Sequence, residues 1–485
     1  MTNLPPNNTK IRIGADLYGF DILCAITQAT LKAQFGLLFT QGIIPTAWKV
    51  DTDSSSIEAT LGLPSIELSA PNGASKANIK FAIRSGKFEY KKIKNNQIQS
   101  NSVDISKMIL SLTVNLDIAG IARNAIANST AIPPSVKNIL SSADFQSYDI
   151  SHIFMDFENA DLVAAYSFTY PDGTAPPDFN DQDVIVEIDA AVRSLVASRK
   201  GTDNPYILGY AAATDATSAK DGDLVPTGST FSVYADSKPD RNTLNVLSVT
   251  GPYAVPTGQA IQLKQNFVDS DDMEGVLVIS QDSLMRLILP PFAHYLSKDV
   301  TDFKRSGTTL SLAGRNAQGG TTTVNIVPVP APAKAPVSPP AKPPPPPPAK
   351  LVASFRASYT TDIKSSGSKI GASDITATWN TTLQFGVAND GLKIDVTSST
   401  PAASHNDHLT FWGAFLKAFS AAYSNPFVID KQWNDTFASQ ALAQKVQLPT
   451  DFKTTLVPPG AGKFFFKEPR FTPEGHLVLT LTVRN

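Results

Sequence analysis

One cysteine, Cys24, stands among 485 residues. No intrachain disulfide can form, and no thiolate cluster can hold a metal. Set inside an apolar run, Cys24 reads as a small buried hydrophobe. Charge is scarce as well: Asp, Glu, Lys and Arg make up 17% of the chain, against roughly 25% in an average soluble domain. Ser, Thr, Asn and Gln are abundant instead, a profile that favours antiparallel sheet with a polar, weakly charged outer face. A net charge of -2 lacks the strong basic excess with which nucleic-acid binders attract phosphate. The opening MTNLPPNNTK has no basic segment followed by an apolar run, so no standard secretory signal is expected. Cytoplasmic synthesis, or export by a route without such a signal, is the expectation.

Catalytic signatures are missing too. There is no G-x-S-x-G elbow, no G-x-x-x-x-G-K-[ST] phosphate loop and no H-E-x-x-H helix. The five histidines, His152, His294, His405, His408 and His476, are scattered except for one pair. His405, Asp407 and His408 in SHNDH either hold a metal on one face of a helix start or simply cap that helix. DSDDMEG, Asp269 to Gly275, gathers carboxylates that calcium could use, but without the ligand spacing and central glycine of an EF-hand loop; a solvated turn is the alternative. The sequence therefore argues for no enzyme, no cofactor and no metal. YKKIK, Tyr90 to Lys94, is a short basic run that suits either a solvated strand end or peripheral contact with anionic lipid headgroups.

What is present starts with proline. VPVPAPAKAPVSPPAKPPPPPPAK, Val327 to Lys350, ends in six consecutive prolines, Pro343 to Pro348. Such a stretch is extended polyproline II and at ~3.1 Å per residue spans roughly 70 Å. It divides the chain into 1–326, 327–350 and 351–485, as a linker or as a loop insertion, and it offers a protein partner a polyproline surface.

Strand signals dominate elsewhere. ILSLTVNLDI sets Leu110, Leu112, Val114, Leu116 and Ile118 against Ser111, Thr113, Asn115 and Asp117, one dry face and one wet. IKFAIRSGKFEYKKI reads as a hairpin turning at Ser85-Gly86, between Ile79-Phe81-Ile83 and Phe88-Tyr90. Further strands are expected at Tyr206–Ala212, Thr230–Ala235, Thr243–Thr250 and Gly275–Ile279. DITATWNTTLQFGVANDGLKIDV reads as two strands meeting at Asn389-Asp390-Gly391, and HLVLTLTVR as a strand after a Pro473-Glu474-Gly475 turn. Helices are expected in DVIVEIDAAVRSLVASRKG, with Ile188, Val192, Leu195 and Val196 on one stripe and a stop at Arg199-Lys200-Gly201. Another is expected in SQDSLMRLILPPFAHYL, where Ser280 caps, Leu284, Leu287 and Ile288 line one side, and Pro290-Pro291 breaks or kinks the helix. NDHLTFWGAFLKAFSAAY repeats the helical pattern through Leu409, Trp412, Leu416, Phe419 and Tyr423, capped by Asn406 or Asp407.

The longest apolar run, Ala15 to Thr40, reads as a single helix. Phe20, Leu23, Leu31, Phe35 and Leu38 form its stripe, widened by Ile22, Ile26 and Ala29. Asp21 and Lys32 argue for wrapping by sheet and against a bilayer span. With Tyr18-Gly19-Phe20-Asp21 opening this run, Phe154-Met155-Asp156-Phe157 in the middle and Pro205-Tyr206-Ile207-Leu208-Gly209-Tyr210 beyond, the sequence resembles the tubular lipid-binding (TULIP) superfamily. Within it, the sequence is similar to the forty-seven-kilodalton accessory proteins encoded beside clostridial neurotoxins. That family carries a tryptophan where Phe20 stands and an asparagine where this helix has Gln28 and Thr30, and it lacks the polyproline stretch.

The resemblance implies an α+β fold of long apolar helices wrapped by strongly curved antiparallel sheet, elongated overall. It also implies a non-catalytic protein that binds lipid or another hydrophobic ligand, an accessory factor to a toxin or secreted cargo. The lipid-binding residues on this reading are Phe20, Leu23, Leu31, Phe35, Leu38, Leu110, Leu112, Val114, Leu116 and Ile118. The same residues are core if helix and sheet pack without a gap, and the protein is then a structural or protein-interaction module on the same scaffold.

Overall fold

A left-handed turn comes first among the described residues: Tyr18 (φ 52°) and Gly19 (φ 83°) both take positive φ, and Phe20 N–H donates to the Leu17 carbonyl at 2.9 Å. Asp21 then fixes the entry to the first strand. Its Oδ2 accepts from the Thr250 N–H at 2.7 Å and from the Thr250 hydroxyl at 3.2 Å. The run Ala15 to Thr40 is consequently not one helix. It splits into β1 (Ile22–Thr27) and α1 (Gln28–Thr40). All six residues of β1 are buried, Cys24 among them, and a strand dry on both faces has no period by which sequence can tell it from a buried helix. The switch is made by Thr27. Its Oγ1 accepts from Thr30 N–H at 3.2 Å, and Thr27 N–H and Thr30 Oγ1 both donate to the Glu274 carbonyl, so the strand ends where the helix is capped.

The computed structural model describes residues 17–94, 97–157, 166–197, 204–215, 224–256, 261–293, 300–315, 320–330, 348–365, 368–388, 391–399, 402–409, 456–460 and 462–484. The chain forms two units, one holding Ala15–Val278, Lys453–Phe465 and Thr480–Asn485, the other holding Ile279–Phe452 and Phe466–Leu479.

The first unit contains most of the sheet. Its strands are β2 (Ala47–Asp51), β3 (Ser55–Leu61), β4 (Ser65–Ser69), β5 (Lys76–Lys94), β6 (Gln97–Asp104), β7 (Ile109–Gly120), β8 (Asp149–Asp156), β9 (Tyr166–Thr169), β10 (Ile207–Ala213), β11 (Pro226–Tyr234), β12 (Thr243–Thr250) and β13 (Gly275–Ile279). It also holds β21 (Leu456–Val457), while β22 (Lys463–Phe471) and β23 (Leu477–Arg484) are each divided between the two units. Ten strands run in the order β2-β3-β5-β7-β8-β10-β21, with β4 and β6 also paired to β5 and β9 to β7. This antiparallel sheet curls into a half-barrel. A six-stranded sheet has the order β11-β12-β1-β13-β23-β22.

The expected turn at Ser85-Gly86 does not exist, because β5 runs unbroken through it for 19 residues. Its pairing with β3 slips there: Thr60 faces Ser85 but Leu61 faces Ile83. Burial changes phase with the slip, from Ala77, Ile79, Phe81 and Ile83 to Phe88, as one extra residue in a strand requires. Gly86 lies under close neighbours; a Cβ there would stand 3.0 Å from Ala59 Cβ and 3.0 Å from Ile105 Cγ1. YKKIK is the far end of this strand, where Lys91 donates to the Asp53 carbonyl and Lys92 pairs with Asp181 at 3.2 Å.

Three helices cover the unit's sheet: α2 (Arg123–Asn128), α3 (Pro134–Leu140) and α4 (Gln182–Ala197). Of the stripe expected on α4, Ile188, Val192 and Leu195 are buried, while the Val196 side chain lies outside those described. It packs on β2, β3 and β5. Its expected stop at 199–201 lies outside the described residues.

The second unit comprises α5 (Gln281–Ala293), β14 (Val300–Ser306), β15 (Thr309–Arg315), β16 (Thr321–Val329), β17 (Lys350–Ser365), β18 (Ser368–Ala388), β19 (Gly391–Ser398) and β20 (Ala402–Leu409). Its sheet order is β14-β15-β16-β17-β18-β19, with β20 also paired to β18. Ser280 Oγ caps α5 by accepting from Ser283 N–H at 3.1 Å. Pro290 and Pro291 fall inside this helix and do not end it. The boundary expected at 326 falls inside β16. Val329 pairs directly with Lys350, so β16 and β17 are neighbours in one sheet; residues 331–347 lie outside the described residues. Ala388 pairs with Gly391, as the expected hairpin requires. The helix expected from Asn406 onward starts instead as β20, whose register sets His405 against Ile375 and His408 against Ala372. The i, i+3 helical spacing that joined these histidines is absent, and 410–423 lies outside the described residues. The turn before β23 is as expected, with Gly475 at φ 88° and Thr472 N–H donating to the His476 carbonyl at 2.9 Å.

The fold is therefore mostly β. In place of long apolar helices, the longest described helix is α4, at 16 residues.

Candidate hydrophobic-ligand face

The residues expected to bind lipid occupy four places in the first unit. Phe20 follows the Tyr18-Gly19 turn, 3% exposed; Leu23 lies within β1, 0% exposed. Leu31, Phe35 and Leu38 share the buried side of α1, which packs against β4, β1 and the 239–241 turn. Phe20 and Leu23 thus do not belong to a helix stripe.

The polar ends of that α1 surface are locked. Gln28 Oε1 accepts from Leu68 N–H at 2.7 Å and from Asn242 Nδ2 at 3.3 Å, and Asn242 Nδ2 also donates to the Leu68 carbonyl. Gln34 Oε1 accepts from Gly460 N–H at 3.0 Å. These buried amides are satisfied and pin the helix in one rotation.

The five residues of β7 do form one row. Leu110 faces Phe81 on β5 and Phe168 on β9; Leu112 faces Ile79 and Tyr166; Val114 faces Ala77; Leu116 faces Met155; Ile118 faces Ile153. The first four are buried, while Ile118 is half-buried. Around Phe81 lies an aromatic series that sequence reasoning missed. Trp48 meets Phe81 edge-on at 4.7 Å, Phe81 meets Tyr206 at 5.7 Å, and Tyr206 meets Phe157 at 5.2 Å. The only sequence signal was the alternation of Trp48 and Val50 in β2; the four rings come from segments far apart in the chain. Trp48 Nε1 is buried without an acceptor, a donor on an otherwise dry face.

Charge stays at the margin. Arg193 and Asp189 pair at 2.7 Å along α4. Burial, reinforced by the Asp189 charge and opposed by Arg193, pushes the Tyr166 hydroxyl up to about 12. Among the described residues no group of three or more His, Cys, Asp or Glu side chains is placed to hold a metal ion. In the acidic loop, Asp271 is engaged by Lys238 at 2.7 Å. No helix among them is long and apolar enough to cross a membrane. The face can gather apolar groups away from water; its row of side chains carries no nucleophile.

No family model and no curated protein sequence matches the chain. Solved structures do. P47 from Clostridium botulinum A2 is 14% identical, with 96% of this chain and 97% of that one covered at a TM-score of 0.52. P47 of Clostridium botulinum E1 is 13% identical, with 96% and 100% covered at 0.51. A lipopolysaccharide binding protein is 13% identical over 96% and 99%, at a TM-score of 0.30. At these identities the likeness concerns the fold. The chain shares its fold with the P47 proteins.

Proposed function

We propose that this chain is a non-catalytic binding protein for lipid or another hydrophobic ligand, held against the apolar face of the ten-stranded sheet. The observation that carries the reading is the β7 row from Leu110 to Ile118, flanked by the Trp48, Phe81, Tyr206 and Phe157 rings on a sheet that curls on itself. Moving a methylene from water to such a face gains ~0.8 kcal/mol, so a dozen methylenes gain about 10 kcal/mol. A bilayer is equally dry, so exchange with membrane needs only a face that matches it, and no catalytic group. Ile118, half-buried at the end of the row, is where ligand access is expected. An accessory role toward a toxin-like or secreted cargo belongs to the same reading and rests on the resemblance to P47 alone.

The test is organic extraction of the purified full chain followed by mass spectrometry, with liposome transfer as a second assay. Stoichiometric lipid, lost when Ile118 and Leu116 are replaced by Asn, is the expected result. A second reading has its own support: Leu110, Leu112 and Val114 are 0%, 2% and 1% exposed, as in a face filled by its own side chains. A chain that yields no lipid and takes none from liposomes is a scaffold for protein partners.

A further inference from the structure

The strands β7, β8 and β10 have a second face. Along β8, Ile153 and Met155 point with the β7 row, so Ile150, His152 and Phe154 point the other way. Register places Ala119, His152, Tyr210 and Val457 in one line across β7, β8, β10 and β21. This reverse face is closed by residues 121–148, where Ile121, Ile126, Ile132, Val136 and Leu140 pack with Ile150, Ile207, Tyr210 and Val457.

Two polar side chains lie in this apolar layer. His152 is 4% exposed, and neither ring nitrogen has a hydrogen-bond partner of acceptable geometry. It stacks on Phe154 at 4.7 Å. Directly opposite, the Tyr210 hydroxyl is also buried without a partner. Each orphaned group is costly to bury, and a charged one in the same place would cost far more.

The covering segment is tied to itself. The Arg123 guanidinium donates to the carbonyls of Leu140, Phe145 and Tyr148. Lys137 donates to the Ala127 carbonyl at 3.0 Å, and the Ser142 hydroxyl to the Ile139 carbonyl at 2.7 Å. It is tied to its surroundings by bonds from the Ile121 N–H to the Ile150 carbonyl at 2.8 Å and from the Ser135 hydroxyl to the Gly460 carbonyl at 3.5 Å; the layer beneath it contains His152.

We propose that residues 121–148, with α2 and α3, are an acid-released cover: protonation of His152 places a charge in the dry layer and frees the cover from the sheet. Burial holds the imidazole below its ordinary 6.5, opposed by the Ala119 carbonyl and the Asp117 carboxylate. The charged or titratable groups on the packed elements are Asp117 on β7, Asp149 and Asp156 on β8, Tyr210 on β10, and Arg123, Lys137, Asp144 and Tyr148 on the cover; β21 brings only Leu456 and Val457. Arg123 and Lys137 are held by backbone carbonyls, and Asp117, which shares the His152 face, is too exposed to cancel the cost of burial.

The sign follows from linkage. Above pH 6.5 the imidazole is neutral whether the cover is closed or open. As pH falls below 6.5 the open form takes the proton first, so closure weakens from there down to the lowered value of the closed form. One unit below 6.5, the shift toward the open form is at most about tenfold.

The experiment is hydrogen exchange on the full-length chain at pH 7.5 and 5.5, corrected for the intrinsic pH dependence of exchange. Residues 121–148 are expected to lose protection by up to about tenfold in the wild type and to stay level in both His152→Gln and His152→Phe. Histidine-labelled carbon NMR of the wild type, which needs no variant to fold, follows the five imidazoles; that of His152 is expected to titrate with the opening. Three results overturn the proposal: unchanged protection in the wild type, a loss that persists in both variants, or opening while His152 stays neutral. So does an equal loss over 281–293, where His476 Nδ1 accepts from the Gln281 N–H, because the event is then global.

Discussion

The two faces of the strands β7, β8 and β10 are built from alternate residues of the same segments, yet they differ in kind. The face toward α4 is apolar in every position of the β7 row, with Phe81 and Tyr206 stacked edge to face across it. The reverse face is dry only beneath residues 121–148, Asn115 and Asp117 of β7 being exposed, and it contains His152 and Tyr210 side by side without a hydrogen bond of acceptable geometry. A uniformly apolar face responds to whatever displaces water. A dry face with a titratable group responds to protons as well, because the cost of charging it is set by burial. Sheet alternation thus gives one element two surfaces with different sensitivities.

Substitutions break or sharpen this contrast. Phe81→Ala is expected to have the largest effect, lowering the free energy of unfolding by about 3–5 kcal/mol in urea denaturation, since it removes a buried ring that three neighbours contact. A loss well below that range would show that the face around Phe81 has room to relax, which favours a ligand seam over a closed core. Val136→Ala on the cover removes two buried methyl equivalents and should cost about 1.6 kcal/mol. Its hydrogen exchange should rise over 121–148 while β7 stays protected. Uniform loss across both would make the cover and the sheet one cooperative unit. Thr27→Ala deletes the cap where β1 becomes α1 and should cost about 1 kcal/mol, read as a shift in denaturation midpoint at constant slope. Tyr210→Phe is the smallest: removal of an unsatisfied hydroxyl is expected to leave stability level or raise it slightly. A clear destabilisation would mean that the hydroxyl has a partner, and the contrast between the two faces would narrow.

Several elements were readable from residue pattern because one side faces water. The β7 row and the α4 stripe show the period of their structure; β12 spans Thr243–Thr250 as expected although all eight of its residues are buried. The Ser280 cap and the Gly475 turn were readable because local chemistry decides them. The errors share a cause. β1 is buried on all sides, so its apolar run merged with α1 into one apparent helix. Ser85-Gly86 has turn composition, but partners on β3 continue the ladder through it and turn its extra residue into a bulge. SHNDH suits a helix start, yet pairing with β18 makes it strand. In each case neighbours distant in sequence outweighed a local preference worth a fraction of a kcal/mol to about 1 kcal/mol.

The candidate face divides the same way. Leu110 to Ile118 could be named from alternation alone. The rings of Trp48, Phe81, Tyr206 and Phe157 could not be grouped, because they meet only through strand order, and the pairing of His152 with Tyr210 depends on a register set between segments nearly sixty residues apart.

By itself the sequence determined the materials: a chain without disulfides, poor in charge, rich in alternating strands and lacking the common nucleophile, phosphate and zinc motifs. Tertiary structure alone decided that Ile22 to Thr27 is strand, that β5 bends without turning, and that a histidine is sealed beneath two short helices. The reason is that alternation and capping act over a few residues, whereas burial on every side and strand register are settled by what the rest of the chain brings alongside.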